Sequence, residues 1–182
     1  MRTPDGAKVG DVRTVDEPVV REMFSRFNDR EAFFADTEGT WIDRPLYRVI
    51  PQNLEMRARD EVVAWFRGFF DSMPDLHVDV EDVVVAGEPG RERVTLRWHL
   101  SGTHTGVPFV GIEATGRPVH LYGMDLLDFE DGRIAGNCIY FDQLGFARQV
   151  GMLPPEKSTR DRLLTGAFNL SARTRRRLRG HN

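Results

Sequence analysis

The residue in this chain best placed to do chemistry is an aspartate inside an apolar strand. In "VHLYGMDLLDF" (119–129), Val119, Leu121, Gly123, Leu127 and Phe129 share one face of a period-two pattern, and Asp125 falls on the same face. A carboxylate among Val, Leu and Phe is costly unless it is hydrogen-bonded, paired or protonated. Desolvation raises its pKa, which suits a general base or acid near neutrality. In the following strand Asn137 offers an amide that can donate a hydrogen bond to a developing oxyanion. Trp98 and Tyr140 bring an N–H and an O–H that could line a cavity, although aromatic residues serve the core first. His104 lies in "GTHTG", where a strand turns into a loop. Its first expected role is local hydrogen bonding that shapes the loop; a proton-transfer partnership with Asp125 is the second.

Two further histidines, His99 and His120, fall on the opposite face of neighbouring strands. Without a third ligand they make no metal site, so none is expected. No nucleotide-binding glycine loop, Ser-His-Asp signature or cysteine cluster occurs in the sequence, and no cofactor is expected.

The elements that must position these groups follow from periodicity. Asp16 is a helix cap, Pro18 suits a first turn, and Val20, Met23, Phe24 and Phe27 recur on one helical face. A second short helix is expected near Asp29. Residues 40–50, "TWIDRPLYRVI", suggest an edge strand because Pro45 cannot donate to a ladder. A helix over about 59–73 carries the stripe Val62, Trp65, Phe66, Phe69, Phe70 and Met73, fit to be the lid of a sheet. From Pro74 the period becomes two. Strands are expected at 75–85, 91–100, 119–130 and 133–142, with turns at "GEPG" (87–90) and "DG" (131–132) and a long loop over 101–118. Asp142 reads as the cap of a short helix. A last helix is expected near 157–170, before "ARTRRRLRGHN". Helices first and an antiparallel meander afterwards make an α+β fold.

The 182 residues suit one domain, with residues 1–15 a loose tail, 16–154 the folded unit and 155–182 a helix with a basic tail. With 29% charged and 40% hydrophobic residues, the composition is globular rather than disordered. From Pro155 onward eight Lys or Arg face only Glu156 and Asp161, so that stretch carries +6 and the rest −9 of the overall −3. An acidic body argues against nucleic acid as a partner. No apolar run reaches the roughly 18 residues of a membrane span. A lone cysteine, Cys138, excludes an internal disulfide, and the start of the chain reads as no secretory signal, so a cytoplasmic location is expected.

Three stretches, "PDLHVDVEDVVVAG", "GTHTGVPFVGIEATGR" and "MDLLDFEDGRIAGNCIYFDQLGFARQVGMLP", resemble in order and spacing the SnoaL-like polyketide cyclases of the nuclear transport factor 2-like superfamily. The resemblance covers about residues 16–154. It implies a cone-shaped α+β barrel, a curved antiparallel sheet wrapped by N-terminal helices around an apolar cavity, usually in a homodimer. It implies a small hydrophobic, polyketide-like substrate and chemistry such as cyclisation, isomerisation or dehydration, or else a non-catalytic ligand-binding or accessory role. Asp125 matches the family's pocket-facing His or Asp. Trp41, Asp43 and Tyr47 fall in the segment that passes near the cavity mouth, and with Phe66, Trp98, Asn137 and Tyr140 they are the expected substrate contacts. One departure stands out. Aldol-cyclase and epoxide-hydrolase relatives commonly read "HWDYFD" or "WRDYFD" where this chain reads "NCIYFD". Ile139 therefore replaces their catalytic Asp, and the two-residue acid/base pair of those mechanisms is not kept.

Overall fold

The computed structural model describes residues 13–179, so most of the segment expected to be a loose N-terminal tail lies outside it. The first helix, α1 (Glu17–Ser25), begins where Asp16 accepts a hydrogen bond from the Val19 N–H at 3.0 Å. A 3₁₀ turn (Arg26–Asn28) leads to α2 (Arg30–Phe34), capped by Asp29, and to the single turn α3 (Thr37–Thr40). After β1 (Trp41–Val49) and the short β2 (Leu54–Met56) comes α4 (Arg59–Ser72). The Glu61 carboxylate accepts from the Arg57 and Ala58 N–H groups and so caps α4. Then follow β3 (His77–Glu88), β4 (Arg91–Thr103), β5 (Pro118–Glu130) and β6 (Arg133–Phe141), α5 (Gln143–Gln149) and α6 (Thr159–Arg179).

The six strands form one curved, unclosed sheet in the order β2-β1-β6-β5-β4-β3. From β3 to β6 it is the antiparallel meander expected from the sequence, with Asp131 and Gly132 both at positive φ in the tight β5–β6 turn. Two features differ from expectation. Strand β1 runs parallel to β6 and is not an edge, because β2 covers its far half at Tyr47–Val49. Pro45 is tolerated because a break in register between Trp41 and Leu46 frees that stretch from the β6 ladder. The C-terminal helix is longer than expected and takes in the arginines, since Arg, Ala and Leu favour helix and nothing interrupts them before Gly180.

Helices α1 and α4 lie over the concave face and deliver the aromatic core. Phe66 sits among Phe27, Phe33, Trp41, Tyr47 and Trp65, with ring centroids 5.0–6.0 Å apart. Among the described residues no helix is long and apolar enough to cross a membrane.

Candidate active site

On the concave face a line of polar side chains crosses four adjacent strands. Trp98 (β4) donates its indole N–H to Asp125 Oδ1 (β5) at 2.8 Å. Asn137 (β6) donates through Nδ2 to Asp125 Oδ2 at 2.7 Å and to the Tyr47 hydroxyl (β1) at 2.9 Å. All four side chains are buried. The arrangement follows from register. Tyr47 is the direct neighbour of Asn137 across the parallel pair, while Asp125 lies diagonally from Asn137 and from Trp98.

Trp98 reaches Asp125 because its cross-strand neighbour has no side chain. A Cβ on Gly123 would stand 2.2 Å from Trp98 Cζ2 and 2.3 Å from Cη2, so the indole occupies the space a side chain would fill. The sequence holds the signal for this in a glycine inside a strand pattern, which marks a close approach. Sequence reasoning placed Gly123 on the inner face without assigning it this role.

Burial pushes the Asp125 carboxyl up to about 6, against the two hydrogen bonds from Trp98 and Asn137, which favour the ionised form. Burial, and then the charge of Asp125, raise Tyr47 well above the usual phenol range, so it keeps its proton.

One face of Asp125 opens onto an apolar pocket of about 50 Å³. Phe24, Phe27, Phe66 and Phe69 form its helical wall; Trp98, Asp125 and Ile139 belong to the sheet wall. Phe109 closes one side from the β4–β5 loop. Among the described residues, Asp125 is the only ionisable one in the lining. Its direct cross-strand neighbour is Ile139, so a hydrocarbon side chain stands opposite Asp125.

Other expected site residues fall elsewhere. Tyr140 is on the convex face and exposed, because Asn137 and Ile139 point inward and strand alternation turns Tyr140 out. Its expected role as a cavity contact is therefore corrected. Asn137 is not in the pocket lining, and both donations found for it go to Asp125 and Tyr47, so it positions the carboxylate rather than meeting an oxyanion. Trp41 and Tyr47 line a smaller neighbouring hollow with Phe66. Asp43 is on the surface, paired with Arg59.

His104 is fully buried but outside the pocket lining. Its ring packs against Phe146, and its backbone N–H and C=O bond to Arg117, Thr115 and Gly116, closing the β4–β5 loop. Gly106 docks the same loop on the end of α4, its N–H reaching the Ser72 carbonyl, where a Cβ would strike the Asp71 carbonyl at 1.7 Å. "GTHTG" thus builds the loop that carries Phe109 to the pocket. His99 and His120 stack in parallel 5.7 Å apart on the convex face. Among the described residues no group of three or more His, Cys, Asp or Glu is arranged to hold a metal ion.

Comparison with known proteins agrees with this architecture. The family model described as "SnoaL-like polyketide cyclase" matches residues 20–150. No curated protein sequence matches the chain. Among solved structures, AclR from Streptomyces galilaeus, a candidate hydroxylase, is 22% identical with a TM-score of 0.61, covering 88% of this chain and 94% of its own. TsrD from Streptomyces laurentii is 25% identical with a TM-score of 0.61, covering 76% and 99%. IdmH from Streptomyces antibioticus, a candidate polyketide cyclase, is 21% identical with a TM-score of 0.57, covering 74% and 96%. At these identities the likeness is one of fold.

Proposed function

The chain belongs to the SnoaL-like polyketide cyclase family, and from that premise we propose that it is a cofactor-independent enzyme moving protons on a hydrophobic, oxygenated, polyketide-like molecule. The observation that carries this reading is one buried carboxyl, raised toward neutrality by burial and held by two donors, on the wall of an otherwise apolar pocket. Ionised Asp125 takes a proton from carbon next to a substrate carbonyl and, now protonated, returns it at another atom. A single group used twice suits isomerisation, dehydration of a β-hydroxy ketone, or a cyclisation begun by enolisation. Ile139 is no obstacle to such chemistry, which asks for no second carboxylate. Phe66 and its aromatic neighbours hold the substrate rings and keep water from the carboxylate.

The direct test is deuterium uptake. Incubated in deuterated buffer with polycyclic and linear β-diketones, the protein is expected to speed exchange at the carbon between the carbonyls. The catalysed rate should be low in acid and rise to a plateau as pH passes about 6, because the base must be ionised. Exchange no faster than in buffer across the panel removes the enzymatic reading. The absence of a second acid opposite Asp125 favours one alternative, a non-catalytic ligand-binding or accessory protein. That reading expects tight binding in the same pocket with no exchange.

We also propose that two copies pair through the convex sheet face, where Tyr122, Met124, Leu126 and Tyr140 are exposed side by side. The Tyr122→Lys, Met124→Lys double variant should elute as a monomer in size-exclusion chromatography with light scattering. An unchanged dimer rules that face out.

A further inference from the structure

We infer that α6 is an arm that each copy lays against the body of a second copy of this chain. The inference rests on the pairing proposed above and adds a contact at the margin of the same face. The start of α6 is fixed in direction. The Asp161 carboxylate accepts from the Lys157 N–H at 3.0 Å and from Arg148 of α5 at 3.1 Å, and Arg148 also donates to the Pro154 carbonyl at 2.6 Å. Beyond this clamp the helix leaves its own domain. Leu163, Leu164, Phe168 and Leu170 are 55–69% exposed, and a Cβ on Gly166 would meet nothing within 4 Å. Four large apolar side chains in a row on one helix are an interaction surface awaiting cover. Leu144 and Met152, exposed at its base, extend the patch toward the domain.

The order of residues says what kind of partner fits. The large apolar side chains occupy 163–170, and Arg173, Arg175 and Arg176 follow, exposed, in the distal part. A helix that lies in a membrane surface carries its apolar stripe along its whole length, with basic residues on the opposite side. Here Arg160 and Arg162 precede the apolar residues 163–170 and the other arginines follow, so basic side chains stand on both sides of them along the axis. The partner must therefore offer an apolar surface next to an acidic one. This chain's own body does so. Residues 1–154 carry −9 while the segment bearing the arm carries +6. The apolar convex face is flanked by the edge strand β3 with Asp79, Glu81 and Asp82, of which Glu81 meets Arg97 and Asp79 meets His77 and His99. At 1.5 Å per residue the helix is about 30 Å long, enough to run from one domain across its neighbour.

Sedimentation velocity tests this on the full chain, on a chain ending at residue 158, and on Arg173→Glu with Arg175→Glu and Arg176→Glu. The shortened chain keeps every residue of the buried core. The full chain should be a dimer whose dissociation constant rises roughly tenfold or more in both altered forms and also on adding salt. Far-ultraviolet circular dichroism at 25 °C should show the same helix content for the arginine variant. Dissociation constants that match in all three forms overturn the inference, as does a monomeric full chain. Arm-dependent pelleting with vesicles of phosphatidylcholine and phosphatidylglycerol would also overturn it, by assigning the arm to a membrane. The Tyr122→Lys, Met124→Lys variant, run alongside, separates the two contacts: loss of the dimer there with no effect of the arm keeps the sheet pairing and discards the arm.

Discussion

Asp125→Asn is expected to abolish proton transfer without weakening the fold. Loss of the only ionisable group in the pocket should lower turnover by about 10²–10⁴-fold, the usual worth of a positioned base. The stability effect has the opposite sign from most core substitutions. Folding raises the carboxyl from its ordinary 3.8 to about 6, so the folded state holds the proton more tightly than the unfolded chain. Stability is therefore lost as pH rises from about 4 to about 6, and the full cost, on the order of 3 kcal/mol, persists above that. An amide at position 125 carries no such charge. Its carbonyl can accept from Trp98, and its NH₂ can donate to Asn137 if that side chain turns to present Oδ1, which now has no partner. The rotated Asn137 oxygen can also accept from the Tyr47 hydroxyl, and its NH₂ then takes the position in which Oδ1 had no partner. The variant should thus melt no lower than the parent at pH 8 and lose the parent's decline between pH 4 and 6. Retained turnover would refute the assignment of Asp125. A fall in melting temperature at pH 8 would refute the electrostatic account of its burial.

Gly123→Ala should be among the most damaging single-methyl changes in the chain. Strand backbone accepts alanine readily and Gly123 is not among the glycines at positive φ, so the cost is steric. The new methyl overlaps a buried indole at 2.2 Å, and a rigid bicyclic ring cannot yield as a flexible chain end would. Trp98 must leave its position and surrender its hydrogen bond to Asp125. Overpacking and the lost bond to a charged group together should cost roughly 2–4 kcal/mol. For a chain of this size that lowers the melting temperature by roughly 5–15 °C. Because the Trp98 bond favours the ionised carboxyl, its loss should also move the acid limb of activity to higher pH. Trp98→Phe removes the donor and keeps most of the ring. It should show the same pH shift with a smaller stability loss. A Gly123→Ala protein with the parent's melting temperature and pH profile would show that the indole is not seated there.

Much of the site could be read before the fold was known because strand alternation is local. A period of two puts Asp125 inward whatever the strand pairs with, and the same rule applied to Asn137 and Ile139 turns Tyr140 out. Alternation was decisive there, yet Tyr140 was still expected to line the cavity on the strength of its hydroxyl. Helix starts at Asp16, Asp29 and Asp142 and the Asp131-Gly132 turn were likewise legible, since caps and turns depend on residues within a few positions.

The amino-acid sequence by itself determined the α+β order, the inward carboxylate and the hydrocarbon at Ile139. Only the tertiary structure decided what holds that carboxylate. Tyr47 joins Asn137 across 90 positions of chain because β1 runs parallel to β6, and a parallel pairing leaves no short-range mark in the sequence. Trp98 reaches Asp125 only over Gly123, a contact fixed by the register of two strands rather than by either alone. His104, closest by residue type to a catalytic partner, was kept from that role by the loop it closes. Sequence sets which face a side chain occupies, and register between distant segments sets which side chains meet.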